Sequence, residues 1–115
     1  MSATNLARDM RKALAAVAEP ERAAPMQAYA KSAMPFLGVT TPTRRKVCRE
    51  VFARLDLPTA AAWRQAVLRL WRGARYREER YAAIDLTEAC RFARFQDMAA
   101  LPMYEEMTSG STRRI

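Results

Sequence analysis

Residues 35–55 read PFLGVTTPTRRKVCREVFARL, and their order of signals decides the fold class. Pro35 ends whatever helix precedes it, because proline restricts the residue before it and cannot donate to a helical ladder. Gly38 permits a turn conformation, Thr41 is a natural N-cap, and Pro42 suits the first helical position. Val47, Val51, Phe52 and Leu55 then recur at three and four, the spacing of one helix face. A connector of this type joins helices.

The pattern repeats outward. Toward the N-terminus, Leu6, Met10, Leu14 and Val17 make a stripe over a predicted helix from about Thr4 to Ala18, and Pro20 opens a second that runs to about Ala33. Toward the C-terminus, Pro58 and Thr59 reset the chain before a fourth helix from about Ala60 to Trp71. Trp63, Val67, Leu70 and Trp71 form its apolar face and Gly73 its C-cap. A fifth helix is predicted over Arg77 to Phe92 and a sixth from Asp97 to Met107. No Asn-Gly or Asp-Gly hairpin signal separates alternating runs, so the fold class is all-α. Six helices with short turns suit a solenoid of antiparallel pairs with a period of roughly 35 to 40 residues, and equally a compact orthogonal bundle.

Composition excludes several chemistries. There is no histidine, which removes histidine bases, Ser-His and Cys-His nucleophiles and most zinc sites. Three glycines, Gly38, Gly73 and Gly110, build neither a P-loop nor a dinucleotide turn, so no nucleotide cofactor is expected. Cys48 and Cys90 stand 42 positions apart without a metal-ligand pattern and are expected as buried structural thiols; no metal is expected. No apolar run approaches the roughly 18 residues of a membrane span, so the expectation is a soluble, cytoplasmic protein without a membrane partner.

The 115 residues carry a net charge of +8. Between Thr40 and Arg80 eleven Lys or Arg face four acids, so the excess lies mid-chain and favours a polyanionic partner. Arg44, Arg45 and Lys46 stand near the start of a predicted helix, where the macrodipole disfavours cations by roughly 0.3 to 1 kcal/mol each. Bound phosphate would explain them, with backbone N–H groups, the Thr41 hydroxyl and two guanidiniums converging on it; a solvated basic turn is the bland reading. Trp63 and Trp71 read as core. Arg75, Arg77 and Arg80 read as a solvated face paired with Glu78 and Glu79.

The segment AYAKSAMPFLGVTTPTRRK, residues 28–46, resembles the DNA alkylation repair enzymes of the AlkD type, HEAT-like DNA glycosylases. Tyr29 and Lys31 flank Ala30 where that family has Met; Phe36, Gly38 and Val39 follow, then Pro42, Arg44 and Arg45. The resemblance continues through LWRGARYREERYAAIDL (70–86) and LPMYEEM (101–107). It implies a HEAT-like solenoid whose basic concave face holds duplex DNA, and excision of cationic N3- or N7-alkylated purines. Tyr29 would lie near the lesion, Lys31, Arg44 and Arg45 would contact phosphate, and Arg77 would join them. The family's Trp-Trp-Asp segment, whose carboxylate and aromatic faces stabilise the departing cationic base, has no counterpart here; residues 108–115, TSGSTRRI, stand in its place. The expectation is therefore a helical domain over 1–107, a polar disordered tail over 108–115, and an interrupted chain with no catalytic residue of its own. Asp85 and Glu88 are weak substitutes for the carboxylate. A non-catalytic basic DNA-binding module and a protein-interaction scaffold are the alternatives.

Overall fold

The computed structural model describes the backbone of residues 5–112 and the side chains of residues 5–108. Among them the chain is all-α and solenoid-like: α1 (Leu6–Ala16), α2 (Pro20–Ala30), α3 (Thr41–Phe52), α4 (Ala60–Arg72), α5 (Arg77–Glu88) and α6 (Leu101–Thr112). Short 3-10 turns over Cys90–Phe95 and Met98–Ala100 join the last two. No described helix is long and apolar enough to cross a membrane.

The stripes expected from spacing form the core. Leu6, Met10 and Leu14 of α1, Val47, Val51 and Phe52 of α3, and Trp63, Val67, Leu70 and Trp71 of α4 are buried, with Leu55 just past α3. Val17 leaves the stripe: α1 ends at Ala16, and Val17 is exposed. The Trp63 indole N–H donates to the Leu86 carbonyl at 3.3 Å, which satisfies its polar edge inside the core. α5 is the hub, packing against α1, α3 and α4 through Ala82, Ala83 and Leu86. Alanines on that face let the neighbouring helices approach closely.

Several boundaries differ from the spacing-based expectation. α2 stops at Ala30 because Lys31 takes a left-handed conformation (φ 52°, ψ 44°); its N–H and that of Ser32 close the helix end on Ala28 and Gln27 carbonyls. Proline is thus not what ends it. The N-cap of α3 is Thr40, one residue earlier than Thr41, so Arg44 supplies the first N–H of the helical ladder, to the Thr40 carbonyl at 2.8 Å. α5 ends at Glu88, and residues 90–95 tighten into 3-10 geometry that buries Phe92 and Phe95. α6 runs to Thr112, so the first part of the expected tail is helical; nothing in TSGST forbids helical dihedrals, and elongation adds a hydrogen bond per residue. Residues 113–115 lie outside the described residues. Arg72 joins α4 to α6 through a forked contact with Glu106 at 2.7 and 2.6 Å, which holds that carboxyl below its ordinary range.

Gly38 is required twice over. Its φ is +93°, and a Cβ there would lie 2.1 Å from the Glu19 carbonyl oxygen at the start of α2. The same close approach lets the Glu19 N–H donate to the Gly38 carbonyl at 2.9 Å. The connector is therefore clamped to α2 on one side.

Candidate nucleic-acid interface

The other side of the connector is clamped by α5. Glu78, wholly buried, accepts the backbone N–H groups of Leu37, Gly38 and Val39 at 2.9, 2.9 and 3.1 Å. Glu79, also buried, caps its own helix by accepting the Arg75 and Tyr76 N–H groups at 3.0 Å each, and takes the Arg11 guanidinium at 2.9 Å. These acids are not a solvated face paired with Arg75, Arg77 and Arg80, as their spacing suggested. A carboxylate in the first turn of a helix favours the positive end of the dipole, and here it also satisfies backbone donors that burial would otherwise orphan.

With its inward acids fixed, α5 turns Arg77, Tyr81, Ile84, Asp85 and Glu88 outward, at the four- and three-residue steps of one helix face. Tyr81 is the centre of this face. Phe36 meets it edge-on at 6.2 Å, and the Arg44 and Arg77 guanidiniums lie over its ring at 5.1 and 5.5 Å. Three adjoining concavities share it. One opens toward α2, between Met26, Tyr29, Phe36 and Thr41; one lies along α3, between Thr41, Arg44, Arg45 and Glu88; one leads toward α6, past Arg77, Arg80, Trp71 and Tyr104. Together they form a groove along α5 with aromatic and cationic walls.

The groove brings together four of the five residues singled out from sequence. Tyr29 is 93% exposed on its α2 wall. Arg45 is exposed on the α3 wall and stands in no ion pair among the described residues. Arg77 lies against Tyr81; its Nε is buried with no acceptor among the described residues, a cost the ring contact offsets in part. Arg44 is different. It is 8% exposed, and its Nε and Nη2 hold Asp85 at 2.9 and 3.4 Å. Its charge is already neutralised by a neighbouring helix. Of the expected convergence of Arg44, Arg45, the Thr41 hydroxyl and free backbone donors on one phosphate, Arg44 is withdrawn by Asp85, and Glu78 takes the connector N–H groups of Leu37, Gly38 and Val39 that precede the helix. Lys31, exposed at the end of α2, lines none of the three concavities.

The two acids considered as carboxylate substitutes part company in the same way. Asp85 is bound by Arg44 and also lies against the Cys48 thiol, whose pKa is pushed up to about 12 by burial first and by the Asp85 charge second. Glu88 is exposed, lines two of the three concavities, and is in no ion pair among the described residues. Cys90 is exposed rather than buried, because α5 ends before it. No cluster of three acids or cysteines that could hold a metal occurs among the described residues.

Sequence reading missed Tyr81 and the pair Arg80 and Trp71, whose guanidinium and ring stand 4.3 Å apart. The usable signal for Tyr81 was its four-residue spacing from both Arg77 and Asp85, on the face opposite Ala82, Ala83 and Leu86. In comparisons with known proteins, the chain matches the family model described as DNA alkylation repair enzyme over residues 10–113. No curated protein matches it.

Proposed function

The chain belongs to the DNA alkylation repair enzyme family, and from that premise we propose that the groove centred on Tyr81 is its duplex-DNA surface, with Arg45 and Arg77 meeting phosphates on its walls, Lys31 doing so beside it at the end of α2, and the exposed Tyr29 facing the altered base. The observation that carries the reading is the gathering of Tyr29, Arg45 and Arg77 from three helices around one half-buried tyrosine. Cations on a groove wall supply sequence-independent affinity, and aromatic faces suit a base that carries positive charge after N3 or N7 alkylation. Arg44 anchors the α3 wall to α5 through Asp85 and lies over Tyr81, and Arg45 beside it is left for the DNA backbone.

Excision needs a carboxylate beside aromatic faces to stabilise the sugar cation as the base departs. These 115 residues contain no Trp-Trp-Asp segment, Trp63 is wholly buried, and Asp85 is held by Arg44. In this reading the groove binds and orients the DNA, and neither Trp63 nor Asp85 supplies the excision step. Binding of a methylated duplex should weaken steeply with salt, and the slope of log K against log salt should flatten by about one for Arg45→Gln. Salt-insensitive or undetectable duplex binding would overturn the DNA surface. Release of 3-methyladenine or 7-methylguanine that is lost in Glu88→Gln would replace the binding reading with a catalytic one, since Glu88 is a groove carboxylate in no ion pair among the described residues.

A further inference from the structure

Next to the groove, between α3 and the 3-10 turn after α5, lies a separate cavity of about 480 Å³. Its walls are apolar: Phe52 from α3 and Ala53 just past it, Ala89 just past α5 and Phe92 from the 3-10 turn, with Cys48 and Cys90 between them. The polar groups around it are mostly satisfied from within. Arg91 donates to the Phe52 and Leu55 carbonyls at 2.6 Å each, closing the open end of α3. Asp85 is taken by Arg44. The buried Cys48 thiol, with its pKa near 12, stays protonated and behaves as an apolar wall. What is left is Arg45 and Arg49, one helical turn apart on the rim, both exposed and both outside every ion pair among the described residues.

We propose that this cavity binds a small amphipathic anion, with a carboxylate or similar head between Arg45 and Arg49 and an aliphatic or aryl body against Phe52 and Phe92. The volume falls in the range of ligand sites, roughly 300 to 1,000 Å³, and two guanidiniums at one rim match a single anionic head. An extended peptide fits less well, because the wall's Phe52 and Leu55 carbonyls are already occupied. Inorganic phosphate would leave the apolar floor unfilled. The site shares two residues with the DNA surface, Arg45 and Asp85, which line both.

Decanoate tests the proposal, with decanol and inorganic phosphate as the two half-ligands, by calorimetry and by the rate at which N-ethylmaleimide alkylates the protein. Cys90 reports occupancy, since it is exposed on the cavity wall whereas Cys48 is buried and protonated. Decanoate should bind saturably below about 1 mM and slow Cys90 alkylation several-fold. Decanol and phosphate should bind more weakly. Arg49→Gln, at an exposed position, should weaken decanoate about tenfold. Ala53→Leu, also exposed, should block binding by filling the floor, with circular dichroism checking that both variants fold. No saturable binding of decanoate, equal binding of decanol, equal protection by phosphate, or unchanged affinity in both variants would each overturn the proposal.

Discussion

The first turns of α5 and α3 carry opposite charges and meet opposite fates. In α5, Glu78 and Glu79 lie where the helix dipole favours anions; they are buried and together accept five backbone N–H groups. In α3, Arg44, Arg45 and Lys46 lie near the same end, where cations are disfavoured. Arg44 is tolerated inside because Asp85 of α5 neutralises it; Arg45 and Lys46 point to solvent. Charge that agrees with the backbone becomes scaffold. Charge that opposes it either needs a partner from another helix or faces outward, where a polyanion can meet it.

The contrast breaks most visibly at Glu78. Glu78→Ala leaves the connector N–H groups of Gly38 and Val39, both buried, and of half-buried Leu37 without that acceptor and should cost about 3 to 5 kcal/mol, against the roughly 5 to 15 kcal/mol that a domain of this kind holds. A thermal melt should show most of the stability gone, and a native-like midpoint would show that water replaces the carboxylate. Arg44→Ala comes next, because it strands Asp85 in a half-buried site, with an expected loss of about 2 to 3 kcal/mol. The pair variant Arg44→Leu with Asp85→Leu should recover part of that loss in urea melts, since removing both charges removes the desolvation cost.

A pH series sharpens the same contact from the α3 side. Burial and Asp85 raise the folded-state pKa of Cys48 from 9.0 to about 12. The folded chain therefore holds that proton more tightly than the unfolded chain, so the contribution is complete below pH 9 and is lost as pH rises from 9 toward 12. Relative to Cys48→Ala, stability should fall by about 1 kcal/mol per pH unit across that window. Parallel curves for the two proteins would mean that water reaches the thiol. The smallest effect on folding belongs to Arg45→Gln, within about 0.5 kcal/mol of the parent, even as its DNA salt slope flattens.

Much of the fold was legible from spacing, since Leu6, Met10, Leu14, Val47, Val51, Trp63 and Val67 reach the core by helical periodicity alone. The boundaries that failed did so where the backbone, not the side-chain pattern, decides: the left-handed Lys31 that ends α2, and the 3-10 turn that shortens α5. The site was half legible. Tyr29, Arg45 and Arg77, singled out through local motif and charge, line the candidate groove, while Tyr81 carried no motif of its own and Glu78 read as part of a solvated, salt-bridged face.

By itself, then, the sequence determined helix positions, the buried stripes, the mid-chain excess of positive charge and the resemblance that the family match bears out. Those properties are local, set by side chains within a turn or two of one another. Which charges are spent inside and which stay available was decided only by the tertiary structure. Glu78 lies 40 residues from the Gly38 amide it accepts and Arg44 lies 41 from Asp85. Pairing across such distances depends on how helices pack, and no local pattern encodes it.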